Sequence, residues 1–384
     1  MSQPVLRGVW PQSVDTVYFD TASHDLAAHR VSLRRCTGGG NAGWQLTLPA
    51  GPNADTHTRI PLKGDDESVP DALRDTVLAI VRDRPLVPVA PAGTGHRVSK
   101  QAVRKLDSAH RAVSEQIEKL LEWDRAVRVD APDGVHQMRV TIRTIRSLLQ
   151  ASPAAFGLAN DASLLEELRE LATVLGMARD AEVLADRYQR ALDELPAKLI
   201  RGPIRDRLID GAHDRYRTGL RASVTAMRSS RYFRLLDALD SLTGIQSSAA
   251  ATPVTPSAAK NIADGYERIR KRVNAAATAD AEHHDVMLHR IRKSAKRLRY
   301  IAAAGGATKV SDAAKVIQTL LGDHQDSVVS RANLAEQVEA ANAAGEDTFT
   351  YGLLYQQETD LAHDCERELP AALKSLKRAV HTVV

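Results

Sequence analysis

Apolar positions recur along this chain with two different periods, and the change between them falls near residue 95. Before that point short segments partly alternate apolar and polar residues. They are 15–20 (DTVYFD), 29–35 (HRVSLRR), 43–49 (GWQLTLP) and 57–62 (HTRIPL), with Gly, Asn, Asp and Pro between them. Such alternation between turn residues predicts strands. Residues 67–84 place Val69, Leu73, Val77 and Ile80 on one side and predict a helix. Residues 87–94 (VPVAPAGT) predict a linker. From residue 99 onward the period is helical. It predicts helices over 99–129, 135–151, 161–194, 203–228, 231–242, 258–277, 284–303, 308–321, 325–343 and 349–380, with a low-complexity loop at 243–257.

Two of these helices share a charge pattern. One carries His136, Arg139, Arg143 and Arg146; the other carries His289, Arg292, Lys296 and Arg299, with Lys293 and Arg297 beside them. Matched positions at i, i+3, i+7 and i+10 fall within an arc of roughly 80° on a helix. Met138, Ile142, Ile145 and Leu149 lie on the opposite face of the first, and Ile291, Ala295, Leu298 and Ala302 on that of the second. Each helix is therefore greasy on one side and cationic on the other. Solvated helix faces normally intersperse acids, because like charges four apart repel by a few tenths of a kcal/mol. Residues 286–300 hold six Arg or Lys and no acid; residues 135–150 hold three Arg and no acid. A surface so biased suits a polyanion, unless a fixed acid on another helix neutralises it.

A second element follows each stripe. Leu175-Gly176 precedes Asp180 by four residues, and Leu321-Gly322 precedes Asp326 by the same distance. Two repeated elements in the same order imply a duplication. The predicted class is mainly α: two pseudo-symmetric four-helix bundles after a small β-rich segment. The expected boundaries are 1–92 for the front segment, 93–98 for a linker, 99–242 and 258–384 for the bundles, and 243–257 for the loop joining them. Symmetry would let the stripes line one basic groove.

Composition narrows the reading. The net charge of +4 is small but uneven, because residues 1–95 hold nine basic and ten acidic residues. The excess of positive charge therefore sits in the helical part, where it bears on anion binding. Aromatics make up 4% of the chain, which disfavours base stacking. No apolar run reaches membrane-spanning length, and no secretory signal is visible in the first twelve residues. Cys36 and Cys365 lie in unlike segments without metal spacing, and a reduced cytoplasmic setting is expected. His136 and His289 lack a second ligand at i+4, so no metal site and no cofactor is expected. They sit near predicted helix starts, Asp133 is a candidate cap for the first, and backbone donors could converge with the imidazoles there. No phosphate loop or nucleophile elbow is present: Gly38-Gly39-Gly40 lacks a following Lys-Ser/Thr.

The repeated His-x-x-Arg-x-x-x-Arg/Lys-x-x-Arg helix, followed by Leu-Gly-x-x-x-Asp, resembles the CHAD family, the conserved histidine α-helical domain. The resemblance covers about residues 99–380. It implies a two-bundle fold whose basic residues bind inorganic polyphosphate, without catalysis of its own. Carried over by position, the ligands are His136, Arg139, Arg143, Arg146, His289, Arg292, Lys293, Lys296, Arg297 and Arg299. Val140 and Thr144 stand where the second copy has Lys293 and Arg297, so the second stripe is expected to bind more strongly. Polyphosphate granules then become an expected partner, with no membrane and no sequence-specific nucleic acid.

The front segment resembles part of a CYTH domain, the triphosphate tunnel fold. The matching residues are Tyr18-Phe19-Asp20-Thr21, Leu33-Arg34-Arg35, Gly43-Trp44-Gln45-Leu46, Pro61-Leu62 and Pro88-Val89-Ala90. The Glu-x-Glu-x-Lys strand that holds metal in that family has no counterpart. Thr47 replaces the usual Lys and His57 the expected Glu. Arg34, Arg35 and Arg59 remain. A triphosphatase or nucleotidyl cyclase, and a non-specific nucleic-acid binder, are the alternatives to a non-catalytic polyphosphate binder. Phosphoryl chemistry on metal needs carboxylates to fix the ion, and they are missing. The expected outcome is no phosphate release from triphosphate, ATP or long-chain polyphosphate with Mg²⁺ or Mn²⁺. Metal-dependent turnover by the purified protein would refute it.

Overall fold

A computed structural model describes residues 15–37, 42–49, 57–62, 68–90, 108–151, 153, 156–158, 162–244 and 258–383. Gly38 to Gly40, the 93–98 linker, residues 99–107 and most of the 243–257 loop lie outside this set. The chain is mainly helical, as the 3.6-residue period predicts, with one small sheet at the front. It divides into two compact units: residues 1–182 with 214–250, and 183–213 with 251–384. The grouping is not contiguous in sequence. Residues 183–213 fall with the second unit, where the sequence reading assigned them to the first bundle.

In the first unit five strands form an antiparallel sheet in the order β4-β3-β2-β1-β5. They are β1 (Asp15–Asp20), β2 (Ser32–Thr37), β3 (Gly43–Pro49), β4 (His57–Leu62) and β5 (Val87–Val89). The expected strand at 29–35 is displaced toward the C-terminus, because Asp25–Ala28 forms a helical turn, α1. The Asp20 carboxylate fixes this turn by accepting from the backbone N–H groups of Leu26 and Ala27 at 2.9 and 3.0 Å. The expected linker at 87–94 begins instead as a strand: Val87–Val89 pairs with β1, Tyr18 lying opposite Val89. Two prolines at the sheet edges, Pro61 on β4 and Pro88 on β5, suit positions where one side of the strand has no partner.

The predicted helix at 67–84 is two short helices, α2 (Asp71–Thr76) and α3 (Leu78–Val81). Arg82 ends the second with a left-handed φ of 59°. Phe19, Leu33, Trp44, Leu46, Leu73 and Ile80 share one core with residues of the helices that follow, among them Val113, Met138, Leu168 and Leu239. Those helices are α4 (Ser108–Arg128), α5 (Gly134–Ala151), α6 (Ser163–Glu194), α7 (Gly211–Met227) and α8 (Ser230–Gly244). The front segment is thus part of the first unit's interior.

Ion pairs with at least one buried member reinforce that union. Arg82 is 4% exposed and pairs with Asp237 and Asp240 on α8. Asp124 on α4 is fully buried; it accepts from Arg128 Nε at 2.7 Å and from the Tyr232 hydroxyl at 2.8 Å. Arg128 also donates to the Met227 carbonyl at 2.8 Å and reaches Asp75 of α2 at 3.4 Å. Burial acts to lower the Arg128 pKa, but Asp124 and its hydrogen bond outweigh it and the net shift is upward. Tyr232 is pushed well above its ordinary value, first by burial and then by Asp124.

The second unit holds the end of α6 from Val183, a 3-10 turn at Ala197–Leu199, and four long helices. These are α9 (Ala258–Ala277), α10 (Ala281–Ala304), α11 (Thr308–Ala343) and α12 (Phe349–His381). The π-turn at Asp206–Asp210 sits at the head of the segment predicted as one helix over 203–228. Residues 308–343 form one helix, where a break after Leu321 was expected. Gly322 and His324 are buried inside it, and Val310, Ala314, Ile317, Leu321 and Leu334 keep its apolar face continuous across the glycine. An interior glycine weakens a helix by about 1 kcal/mol against alanine, less than this burial supplies. Among the described residues no helix is long and apolar enough to cross a membrane.

Removing one member of a buried pair strands the other charge, at about 3–5 kcal/mol. Asp124→Ala should therefore lower the first unit's unfolding free energy by about that amount, measured by denaturant unfolding. A loss below about 1 kcal/mol, the range of exposed pairs, would contradict it.

Candidate functional site

The stripes lie on α5 and α10, one in each unit. Their inner faces are anchored as the pattern predicts. Met138, Ile142, Ile145 and Leu149 are each 0% exposed, and so are Ile291, Ala295, Leu298 and Ala302. That anchorage fixes the azimuth of each helix and turns the cations away from the core. Arg143, Lys293 and Arg297 are exposed; His136, Arg139, Arg146, His289, Arg292, Lys296 and Arg299 are half-buried.

None of these ten side chains forms an ion pair with a carboxylate among the described residues. Arginines elsewhere behave differently: Arg187 pairs with Glu358, Arg207 with Glu346, Arg228 with Asp75 and Arg231 with Glu167. Where stripe residues have partners, those are neutral. Arg139 Nη1 donates to the Ala172 carbonyl at 2.6 Å, and Arg299 Nη1 to Gln318 Oε1 at 3.1 Å. The Arg299 guanidinium also lies 5.2 Å from the centre of the Tyr300 ring. Buried Nε atoms of Arg146 and Arg292, and Nδ1 of His289, have no hydrogen-bond partner. Such orphaned buried polar atoms are rare in folded proteins and call for an explanation.

Burial and neighbouring cations together shift two groups of the stripes. Burial lowers the Arg139 pKa; Asp180 opposes the shift, while Arg143 and Arg179 add to it. Asp180 is thus the acid from another helix that the sequence left open, and it acts on one arginine without pairing. His289 is held below its ordinary value by burial, then by Lys293 and Arg292, against a hydrogen bond with Gln325.

The Leu-Gly elements prove to belong to the same constellation. Gly176 lies under Arg139 and Gly322 under Arg292, so each duplicated element packs against its own stripe. Sequence reading found both motifs but not this pairing, which needs the helix-to-helix distance. Gln325 was likewise missed; its place in the repeat, where the first copy has Arg179, was the available signal.

One expectation fails. His289 is not at a helix start: α10 begins at Ala281, with the Asp280 carboxylate accepting from the His283 N–H at 2.9 Å. The helix dipole therefore contributes nothing at His289, whereas His136 does sit in the first turn of α5. Asp133, at φ 62°, gives its carboxylate to the Gln137 side-chain amide at 2.6 Å.

Of the three arginines retained in the front segment, Arg34 and Arg35 are successive residues of β2 and lie on opposite faces of the sheet. Gln45 Oε1 accepts from Arg34 at 2.9 and 3.1 Å; Arg35 lies 6.0 Å from the Trp44 ring centre. The side chains of His57 and Arg59 lie outside the described set. A further cluster in the second unit was visible in sequence only as His283-His284. His324, 2% exposed, sits 3.2 Å from Glu366 and 3.6 Å from Asp285, and His284 sits 3.3 Å from Glu366. It clamps α10, α11 and α12 beside a cavity of about 390 Å³. Among the described residues no three His, Cys, Asp or Glu groups are arranged to hold a metal ion.

The depressed His289 pKa has a defined sign. The folded state binds this proton less readily than the unfolded state, whose value lies near 6.5. The group's stabilising contribution is present above that pH and is lost on acidification through the folded-state value. Wild type should lose more thermal stability between pH 7.5 and 5 than His289→Gln does. Equal losses would contradict the shift.

Comparison with known proteins agrees with the geometry. Two proteins of Mycobacterium tuberculosis, from strains CDC 1551 and H37Rv and both described only as uncharacterized, are each 48% identical over 467 residues, covering 96% of this chain and 91% of theirs. That aligned span exceeds the 384 residues here, so the relatives carry residues within it that this chain lacks. The crystal structure of the CHAD domain from the plant Ricinus communis superposes with a TM-score of 0.52 at 24% identity, covering 74% of this chain and 92% of that one. The family model of the CHAD domain matches residues 111–335, a stretch that contains both stripes and both Leu-Gly elements. With more than half its length so matched, the chain belongs to the CHAD family.

Proposed function

We propose that this protein binds inorganic polyphosphate through the stripes on α5 and α10, without catalysing its turnover, and that it attaches to polyphosphate-rich bodies in the cytoplasm. The observation that carries this reading is the absence of ion pairs on all ten stripe side chains, among the described residues, in a protein that pairs its arginines elsewhere. Uncompensated repulsion along a helix is unfavourable in the free protein, and a chain of phosphates relieves it. Arginine forks and lysine points both suit phosphate oxygens. The second stripe binds more strongly because Lys293 and Arg297 add two exposed cations where the first has Val140 and Thr144.

Two competing readings are weaker. A triphosphatase would need the paired carboxylates of a Glu-x-Glu-x-Lys strand, a motif this sequence lacks, and Arg34 is already engaged by Gln45. A non-specific nucleic-acid binder would use the same cations, so the test must separate the two ligands.

Lys296→Glu combined with Arg299→Glu should abolish tight polyphosphate binding while leaving helical content intact; Arg143→Glu with Arg146→Glu should weaken it less. Neutralising six to ten phosphates at about 0.7 per phosphate predicts a slope of log K against log salt of about −4 to −7. A titration with polyphosphate, duplex DNA and ATP side by side reads both outcomes. Unchanged affinity in the Lys296/Arg299 variant reduces the stripe to a solvated face, and equal affinity for DNA favours general surface charge.

A further inference from the structure

The glycine of each Leu-Gly element has no conformational reason to be glycine. Gly176 and Gly322 lie inside α6 and α11, and neither has a positive φ. Alanine would serve a helix better. What distinguishes these positions is the space above them. A Cβ on Gly176 would stand 2.3 Å from Arg139 Nη1 and 3.4 Å from its Cζ. The guanidinium therefore rests on bare helix backbone, where Nη1 reaches the Ala172 carbonyl at 2.6 Å.

The helix beneath cannot retreat. Half a turn along, a Cβ on Gly219 of α7 would stand 2.5 Å from the backbone nitrogen of Ala178 and 2.9 Å from its Cα. The backbones of α6 and α7 are thus in direct apposition at Ala178, which is fully buried. Anything added at Gly176 must displace Arg139 instead. The second unit repeats the arrangement with slack: a Cβ on Gly322 would lie 3.5 Å from Arg292 Nε and 3.7 Å from Nη2, ordinary contact distances.

We propose that Gly176 is a positioning residue for polyphosphate binding: by leaving α6 bare beneath the first stripe, it lets Arg139 lock onto the Ala172 carbonyl and presents its remaining donors to phosphate already ordered. This rests on the polyphosphate reading above. A guanidinium carries five N–H donors, so one bond to a carbonyl leaves four for a ligand. Ordering a long side chain before binding removes a cost worth about two- to tenfold in affinity. The Gly322–Arg292 pair is the looser counterpart, and it tolerates a methyl group.

The test titrates polyphosphate of one defined length, at one salt concentration, into wild type, Gly176→Ala, Arg139→Ala, the double variant and Gly322→Ala. Thermal unfolding of each is followed alongside. Gly176→Ala should bind about two- to tenfold more weakly while melting at or above the wild-type temperature, which a merely structural role would not produce. The double variant should bind no more weakly than Arg139→Ala alone, and Gly322→Ala should stay within about twofold of wild type. Wild-type affinity in Gly176→Ala or in Arg139→Ala overturns the proposal. So does a glycine effect that persists in the Arg139→Ala background. Should Gly176→Ala fail to fold, Arg139→Lys replaces it: that variant keeps the charge, loses the fork, and should bind about two- to tenfold more weakly than wild type. Wild-type affinity there overturns the proposal equally. Absence of binding by the wild type instead removes the polyphosphate reading itself.

Discussion

Like charges crowded on one face of a helix have to be held there by something, and here the opposite face holds them. Repulsion between cations three or four residues apart amounts to about 0.2–0.5 kcal/mol per pair. Burying a large apolar side chain contributes about 1.5–3 kcal/mol. Each stripe helix buries at least two such side chains completely, Met138 and Ile142 in one and Ile291 and Leu298 in the other. Burial wins by a wide margin, so each helix keeps its orientation although its outer face repels itself. The unpaired guanidiniums follow from that imbalance, and the depressed His289 follows from burial first and from Lys293 and Arg292 second.

The front segment illustrates a different use of charge. Arg82, Arg128 and Asp124 are buried, paired and hydrogen-bonded, and they join the sheet-bearing segment to α4 and α8. A buried pair of this kind is a weak source of net stability but a strong constraint on which surfaces meet. Together with the shared core around Trp44 and Leu46, it makes the described part of the front segment a foundation of the helical unit. The segment thus has a structural role in the first unit through what it packs against.

Much of this was legible in the sequence, because amphipathic periodicity is a local property. The inner faces of α5 and α10 were read residue by residue, and most long helices within a few positions. What escaped depends on contacts between distant segments. Nothing local says that Gly322 is bridged by a continuous apolar face, so α11 was split there. Val87–Val89 looks like a linker until β1 is beside it. His289 follows a predicted boundary, but Asp280 caps the helix nine residues earlier. The link from Gly176 to Arg139 requires knowing how closely α6 approaches α5, a distance that no spacing in the chain encodes.

The two units are interleaved along the chain: residues 183–213 belong with 251–384, and 214–250 belong with the beginning. On the ribosome this ordering matters. Tyr188, Leu192, Ile204 and Leu208 emerge early, but they share a core with Leu334, Tyr351 and Leu354, which are made more than a hundred residues later. Their greasy faces stay uncovered until those later residues are made, the condition in which a nascent chain is most exposed to misassociation. The contacts that close this core are also far apart in sequence, which slows the search for them. A gene cut anywhere between residues 213 and 258 would therefore yield a first fragment with an apolar segment lacking its partner, in place of a free-standing bundle.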